Sequence, residues 1–384
     1  MSGRELVLLV AEARRRRRRW ILKAWQFHSI EDWRLDDVPE PKPGRGEVLI
    51  KVRVVQPSVT EVVASRLGAT HMSGRVKQII EERAPIRLFG HEYAGDVVAV
   101  GPGVKQFKVG DRVASINPHV ACGECSDCRS GREHVCRKGR NVGREIPGCF
   151  AEYAAIPEPA VVRIPDGIGY NVGAAFQPED TCFGVVLTAG IKGGETVAIL
   201  GQGVIGTGVM QLARAKGAGR VIVADIRKEN LELTRRLGAH DVIDASRTDP
   251  VRAIMDLTNG NGVDVAVDAA GGDPQNGLAG HDTLLQAVKV VKQEGMVIQP
   301  AIVSGLLDID LALLREKRLH LAWPRSLTRP EMEELVGLIA KGTLQLQPAI
   351  THVVKGLDKV PQAFAITGEK FKHQAINPCQ VEVA

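Results

Sequence analysis

A chain of 384 residues, 44% hydrophobic and 25% charged, can bury two or three cores and has the balance of an ordinary globular protein, which excludes a fibrous or wholly disordered chain. Its formal net charge of +5 equals that of residues 1–22 alone, where seven arginines face two glutamates. That leaves 43 of the 50 basic and 43 of the 45 acidic side chains to residues 23–384, so no broad cationic face for nucleic acid is expected.

In chain order, residues 1–22 read as a disordered extension, because the block Arg14–Arg19 repels itself. A run of this kind also fits a nucleic-acid or membrane-surface tail or a transit peptide. The stretch from Leu22 onward, LKAWQFHSIEDW, suggests a natural start near Leu22 that opens directly with a strand. The apolar run LVLLVA is far too short to span a bilayer and no cleavable signal pattern follows it, so a cytoplasmic protein without a membrane partner is expected. Short β-branched runs bounded by Pro and Gly at 47–55, 93–100, 112–116 and 151–156 predict a mostly antiparallel β domain.

Inside that region Cys122, Cys125, Cys128 and Cys136 sit in ACGECSDCRSGREHVC, a spacing that lets four thiolates converge on one tetrahedral ion. Four soft ligands leave no open position for substrate, so the zinc implied here is structural. An iron–sulfur cluster is the main competitor, but its runs have other spacings, and cysteines two residues apart make poor disulfide partners.

After about Gly173 the texture changes to apolar strands alternating with amphipathic helices: TVAIL, VIGTGVMQLARAKG, VIVAD, KENLELTRRLGA, DVIDA. That alternation predicts a doubly wound parallel sheet. The first strand runs into Gly201, Gly203, Val204, Ile205 and Gly206, a GxGxxG turn between strand and helix. The first two glycines permit a tight turn and close approach of a pyrophosphate, and the third permits close helix–strand packing. Asp225 closes the next strand 19 residues after Gly206, where a carboxylate can accept both ribose hydroxyls of NAD and would repel the 2′-phosphate of NADP. NAD is therefore the expected cofactor; Arg227 and Lys228 leave some room for NADP.

The order of these pieces resembles the medium-chain dehydrogenase/reductase superfamily, zinc alcohol dehydrogenase group, from Lys23 to the end. PGRGEVLIKV, GHEYAGDVVAVGPGVKQFKVGDRV, the cysteine lobe, GCFAEYA and GQGVIG come in that family's sequence. The resemblance implies an α/β chain with a GroES-like β-rich catalytic domain at 23–177 and 323–384, carrying the zinc lobe at 119–140, and a Rossmann domain at 178–322. ITHVVKGLDKVPQAFAI looks like the return to the first domain. It further implies an NAD-dependent oxidoreductase passing hydride between nicotinamide and a small-molecule secondary alcohol, polyol or carbonyl compound, as a homodimer or homotetramer.

Family members that oxidise alcohols hold a second zinc through Cys, His and a later Cys or Glu. His91 in Gly90-His91-Glu92 falls on the histidine, but the CGTD-like turn reads Ser58-Val59-Thr60-Glu61 and the later ligand falls on Gln177, a register supported by Thr181, which coincides with a family threonine near the nicotinamide. A hydroxyl stays protonated at neutral pH and is a poor zinc ligand beside a thiolate. Thr60 keeps a hydroxyl for the alcohol proton, whereas Val63 replaces the relay histidine, leaving His28 and His71 as candidates by elimination.

Three readings follow. Zinc is held by His91 and Glu92, helped by Gln177 or Glu61, as in some sugar and polyol dehydrogenases, which makes a labile site. Alternatively the catalytic zinc is gone, as in zinc-free reductases of activated alkenes and carbonyls. In the third, the chain binds nucleotide without catalysis. From Glu61 to Gly90 the chain also spends more residues than the usual family spacing, and the segment RLGATHMSGRVKQIIEERAP reads either as a short helix over the cleft or as a surface insertion.

Overall fold

The computed structural model describes residues 21–29, 31–65, 71–271, 280–303 and 306–383. The extension expected at 1–22 thus lies outside the described residues except for Ile21 and Leu22.

The chain opens with an antiparallel pair, β1 (Ile21–Phe27) and β2 (Trp33–Pro39), followed by β3 (Glu47–Gln56), β4 (Glu92–Val100), β5 (Arg112–Ser115), β6 (His119–Val120), β7 (Arg140–Asn141), β8 (Tyr153–Pro157) and β9 (Val161–Arg163). The long strand β3 is the hub, pairing antiparallel with both β4 and β8. Its pairing with β4 shifts register between Val52 and Val54. Val48, Ile50 and Val52 then face one core, while Val54 faces a second core shared with the following domain. Aromatic residues are few but gathered: Phe27 stacks on Trp33, and Trp33, Phe89 and Phe150 pack against Phe364. This cluster fastens the first hairpin to the C-terminal part of the chain.

The second sheet consists of β10 (Thr196–Leu200), β11 (Arg220–Asp225), β12 (Asp241–Asp244), β13 (Val263–Asp268), β14 (Val291–Ile298) and β15 (His320–Ala322), all parallel, in the order β12-β11-β10-β13-β14-β15. Helices cover both faces, which explains the continuous apolar strands: Val197 and Ile199 enter one core, Ala198 and Leu200 the other. The chain order reverses between β10 and β13, where ligands bind in such sheets. The fold class read from the sequence, a GroES-like domain and a Rossmann domain, is therefore present.

The last segment returns to the first sheet. There β17 (Gln380–Glu382) pairs antiparallel with β3, and β16 (Val353–Lys355) pairs parallel with β17. The extra segment before Gly90 contains a helix, His71–Arg83, whose Val76, Ile79 and Ile80 are buried in the catalytic-domain core. Its outer face reaches across to one residue: Arg75 donates to the Glu145 carboxylate at 3.5 Å and Arg83 to the Glu145 carbonyl. Among the described residues no helix is long and apolar enough to cross a membrane.

Candidate active site and metal lobe

The four cysteines of the lobe converge. Cys125 and Cys128 sulfurs lie 3.4 Å apart, Cys122 and Cys128 3.8 Å, and Cys125 and Cys136 3.8 Å. Zinc–sulfur bonds of about 2.3 Å place tetrahedral sulfurs about 3.8 Å apart, whereas a disulfide needs about 2.05 Å. All four are free cysteines, and among the described residues they are the one group of three or more His, Cys, Asp or Glu donors within bonding reach of a single ion. Backbone amides support them. Cys122 Sγ accepts from Cys125 N–H at 3.4 Å, Cys125 Sγ from Cys128 N–H and Cys136 Sγ from Cys122 N–H. The amide of Glu124 pulls the Cys122 thiol down to about 6, whereas burial and the neighbouring thiols push Cys128 up to about 12.

The nucleotide loop has the geometry its glycines predict. Gly201 turns with φ +94°, and a Cβ there would meet Ala270. A Cβ on Gly206 would lie 1.8 Å from the Gly201 carbonyl oxygen, so helix and strand approach as only glycine permits. A Cβ on Gly203 would meet nothing within 4 Å, leaving open space beside the start of the helix Val204–Ala215. Thr207 N–H makes the first intrahelical bond, to the Gly203 carbonyl, so the amides of Val204, Ile205 and Gly206 have no intrahelical acceptor. A pyrophosphate fits that cradle.

Asp225 is buried and anchors the loop: Oδ2 accepts from Gln202 N–H at 2.6 Å and Asn230 Nδ2 at 3.0 Å, and Oδ1 accepts from Arg227 N–H at 2.7 Å. The Arg227 guanidinium is turned to Glu229 and to the Ala375 carbonyl, 3.0 Å away. Lys370 comes from the returning segment. Burial and the neighbouring Arg227 push it below the ordinary lysine range, with Asp225 opposing.

The centre around His91 is built by β4 and by the helix Val59–Ser65. Ser58 and Glu61 form a capping box at the start of that helix: Ser58 Oγ accepts from Glu61 N–H at 3.0 Å, and Glu61 Oε2 accepts from Ser58 N–H at 3.1 Å. The other carboxylate oxygen of Glu61 bonds His91 Nδ1 and also accepts from His91 N–H. The imidazole is therefore held by one ring nitrogen, and Nε2 lies 3.9 Å from Glu92 Oε1. Burial works against a charge on His91, but Glu61 outweighs it and raises the pKa. For Glu92, burial pushes the carboxyl up to about 7, with His91 and a hydrogen bond from Gln56 pulling back.

Gln177 and Thr181 lie half-buried in the helix Phe176–Ala189, which packs against β4; neither side chain hydrogen-bonds another described residue, and nor does that of Thr60. His28 is tied to Asp36 at 2.5 Å on the first hairpin, and the side chain of His71 lies outside the described residues. The 3.9 Å between His91 Nε2 and Glu92 Oε1 is wider than the about 3.4 Å that two tetrahedral bonds of about 2.1 Å span, so the two side chains would have to close in to hold a metal. The Ser58 hydroxyl is engaged in capping, so these donors fit a labile site.

Three residues near this centre escaped the sequence reading. Gln56, Asn377 and Gln380 are buried and hydrogen-bonded into one group that ends on Glu92. The only sequence signal was a lone Gln at the end of a strand. The capping box Ser58-x-x-Glu61 also escaped that reading, although its spacing is a sequence signal, and it assigns Ser58 a task other than ligation.

Residues 44–166 match the family model for the alcohol dehydrogenase GroES-like domain, and residues 204–341 match the model for zinc-binding dehydrogenases. L-threonine 3-dehydrogenase of Pyrococcus abyssi is 35% identical over 335 residues, 86% of this chain and 91% of that one. Its counterpart in Bacillus licheniformis is 34% identical over 82% of this chain and 86% of that one. Among solved structures, a protein of Sinorhizobium meliloti described as a zinc-binding dehydrogenase and bound to NADP superposes with a TM-score of 0.79 at 27% identity, covering 94% of this chain and 98% of that one. The 2R,3R-butanediol dehydrogenase of Bacillus subtilis gives 0.79 at 25% identity, over 94% and 100%. With these matches over the cysteine lobe, the glycine turn and the His91 centre, the chain belongs to the zinc-containing alcohol dehydrogenase group of the medium-chain dehydrogenase/reductase superfamily and is an NAD(P)-dependent dehydrogenase.

Proposed function

We propose that this dehydrogenase oxidises, reversibly, a secondary alcohol that carries a neighbouring polar group, with NAD as hydride acceptor and the reaction centred on His91. One observation carries the reading. His91 is fixed through Nδ1 by a buried carboxylate, which leaves Nε2 turned to Glu92 Oε1, 3.9 Å away. His91 Nε2, Glu92 and the Gln177 carbonyl would hold a zinc ion there; when bound, it stabilises the alkoxide from which hydride leaves. Glu61 keeps the imidazole in one orientation, Thr60 supplies a hydroxyl to pass the alcohol proton, and burial of the centre excludes water. Cys122, Cys125, Cys128 and Cys136 hold a second, purely structural zinc.

The relatives named for L-threonine and for 2R,3R-butanediol supply the first probes. NADH formation with these two alcohols, together with zinc per chain by elemental mass spectrometry on protein purified without chelators, tests the reading. Turnover with about two zinc ions per chain is expected. About one zinc per chain, with turnover of activated alkenes or carbonyls that survives chelation, would instead support a reductase without catalytic metal; the capping role of Ser58 favours that second reading.

Asp225 supports the preference for NAD, since its carboxylate closes β11 beside the open cradle. Asp225→Asn keeps one acceptor oxygen for the loop amides and removes the charge. It is expected to weaken NADH and spare or improve NADPH, narrowing the ratio of the two affinities about 10-fold, as measured by titration of dihydronicotinamide fluorescence. Equal losses for both nucleotides would remove Asp225 from this role.

A further inference from the structure

A chain of amide side chains runs behind Glu92. Gln56 and Glu92 are direct cross-strand partners at the ends of β3 and β4, and Gln56 Nε2 donates to Glu92 Oε2 at 2.6 Å. The carbonyl oxygen of Gln56 accepts twice, from Asn377 Nδ2 at 2.9 Å and from Gln380 Nε2 at 2.8 Å. Gln380 is fixed in turn by Asn171: Gln380 Nε2 donates to the Asn171 carbonyl at 2.7 Å, and Asn171 Nδ2 donates to Gln380 Oε1 at 2.9 Å. Gln56 and Gln380 are fully buried, and Asn377 and Glu92 nearly so.

The directions of these bonds decide the orientation of Gln56. Reversing its amide would set its NH2 against two NH2 groups and its carbonyl against a carboxylate, so the two donors from the chain's C-terminal segment force the Gln56 NH2 toward Glu92. With Oε2 taken, Oε1 is the oxygen of Glu92 that faces His91 Nε2.

We propose that Gln56 is a positioning residue of the reaction centre: its amide, oriented by Asn377 and Gln380, holds Glu92 by one carboxylate oxygen so that the other is presented to His91. The proposal rests on the reading of His91 and Glu92 as the reaction centre. It extends the active site to the last ten residues of the chain. These otherwise serve as the strand between β16 and β3 in the catalytic sheet.

The test uses the full-length enzyme and the faster-oxidised of the two probe alcohols. Gln56→Leu removes the donor; the expected result is a fall in kcat of about 30-fold with the KM for NAD within about twofold of the parent. The double exchange Gln56→Glu with Glu92→Gln separates positioning from mere support. Residue 56 would still accept from Asn377 and Gln380, now also from the amide at 92, so every hydrogen bond is retained while the carboxylate leaves position 92. It is expected to recover most of the thermal stability lost in Gln56→Leu and to stay at least about 100-fold below the parent in kcat. Parental kcat in Gln56→Leu, recovery of kcat in the exchange, or an exchange that fails to regain stability would each overturn the proposal. His91→Ala tests the reading beneath it: parental turnover there would remove the reaction centre itself, whereas loss in His91→Ala alongside parental turnover in Gln56→Leu would remove only the positioning role.

Discussion

Cys128→Ser is expected to cost about one zinc ion per chain and to open residues 119–140 to protease, with little change in kcat for the chains that remain assembled. The reason is the composition of the lobe. Between Ala121 and Arg140 only Cys128 and Cys136 are buried, the flanking strands β6 and β7 are two residues long, and the intervening helices are one turn each. No apolar core exists to replace the metal, so metal binding is the lobe's folding free energy. A serine hydroxyl at position 128 stays protonated near neutral pH and leaves three sulfurs around the ion. Loss of the ligand is expected to cost about 3 kcal/mol or more, in line with loss of a structural metal or a buried cross-link. The readout is local. Arg129, Arg132, Arg137, Lys138 and Arg140 are exposed, so trypsin reports opening of the lobe directly, and elemental analysis reports the metal. Unchanged zinc content together with an unchanged tryptic pattern would contradict a structural zinc at these cysteines.

The parts of the fold that follow from local pattern were legible. The strands at 47–55, 93–100 and 196–200 are β-branched or apolar runs whose burial follows from the run itself, and β10 matches TVAIL residue for residue. The glycine turn was equally plain, because Gly201 and Gly206 answer contacts one strand over or a few residues away. The amide group at Glu92 was not legible, since Gln56 lies 321 residues from Asn377 and 324 from Gln380 and no spacing rule links them. Nor was the fate of QPED at 177–180. Acidic residues in the first turn of a helix ordinarily face water and complement the helix dipole. Here the helix Phe176–Ala189 is wedged between β4, the nucleotide-binding helix and the crossover at Arg325, which buries Glu179 and Asp180.

Those two acids give the protein an expected dependence on pH: stability should fall as pH rises from about 5.5 to about 8.5, and Glu179→Leu should remove a large part of the fall. Burial raises Glu179 to about 8 and Asp180 to about 7, and Glu92 likewise to about 7. Each carboxyl is raised above its unfolded value, so between the two values the folded chain holds more protons than the unfolded chain, and stability declines with increasing pH until the folded group ionises. For Glu179 the loss by neutral pH is about 3 kcal/mol, at about 1.4 kcal/mol per unit of pH above the unfolded value. His91, raised by Glu61, adds to the decline in the same direction. Asp111 and Glu331, both held near about 2, act oppositely: their contribution is complete above the unfolded carboxylate range and is lost only in acid. Maximal stability is thus expected near pH 5 to 6. Glu179 suits the test because its Oε2 has no hydrogen-bond partner and lies where a Cβ on Gly208 would meet it at 2.3 Å, so an apolar side chain of similar length loses little there. Thermal melting across the pH range should show Glu179→Leu about 3 kcal/mol more stable than the parent at about pH 8.5 and nearly equal at about pH 5.5. Parallel profiles for the two proteins would mean that Glu179 ionises in the folded chain at its ordinary pH, and its burial would then have to be offset by water reaching the carboxylate beside the nucleotide-binding helix.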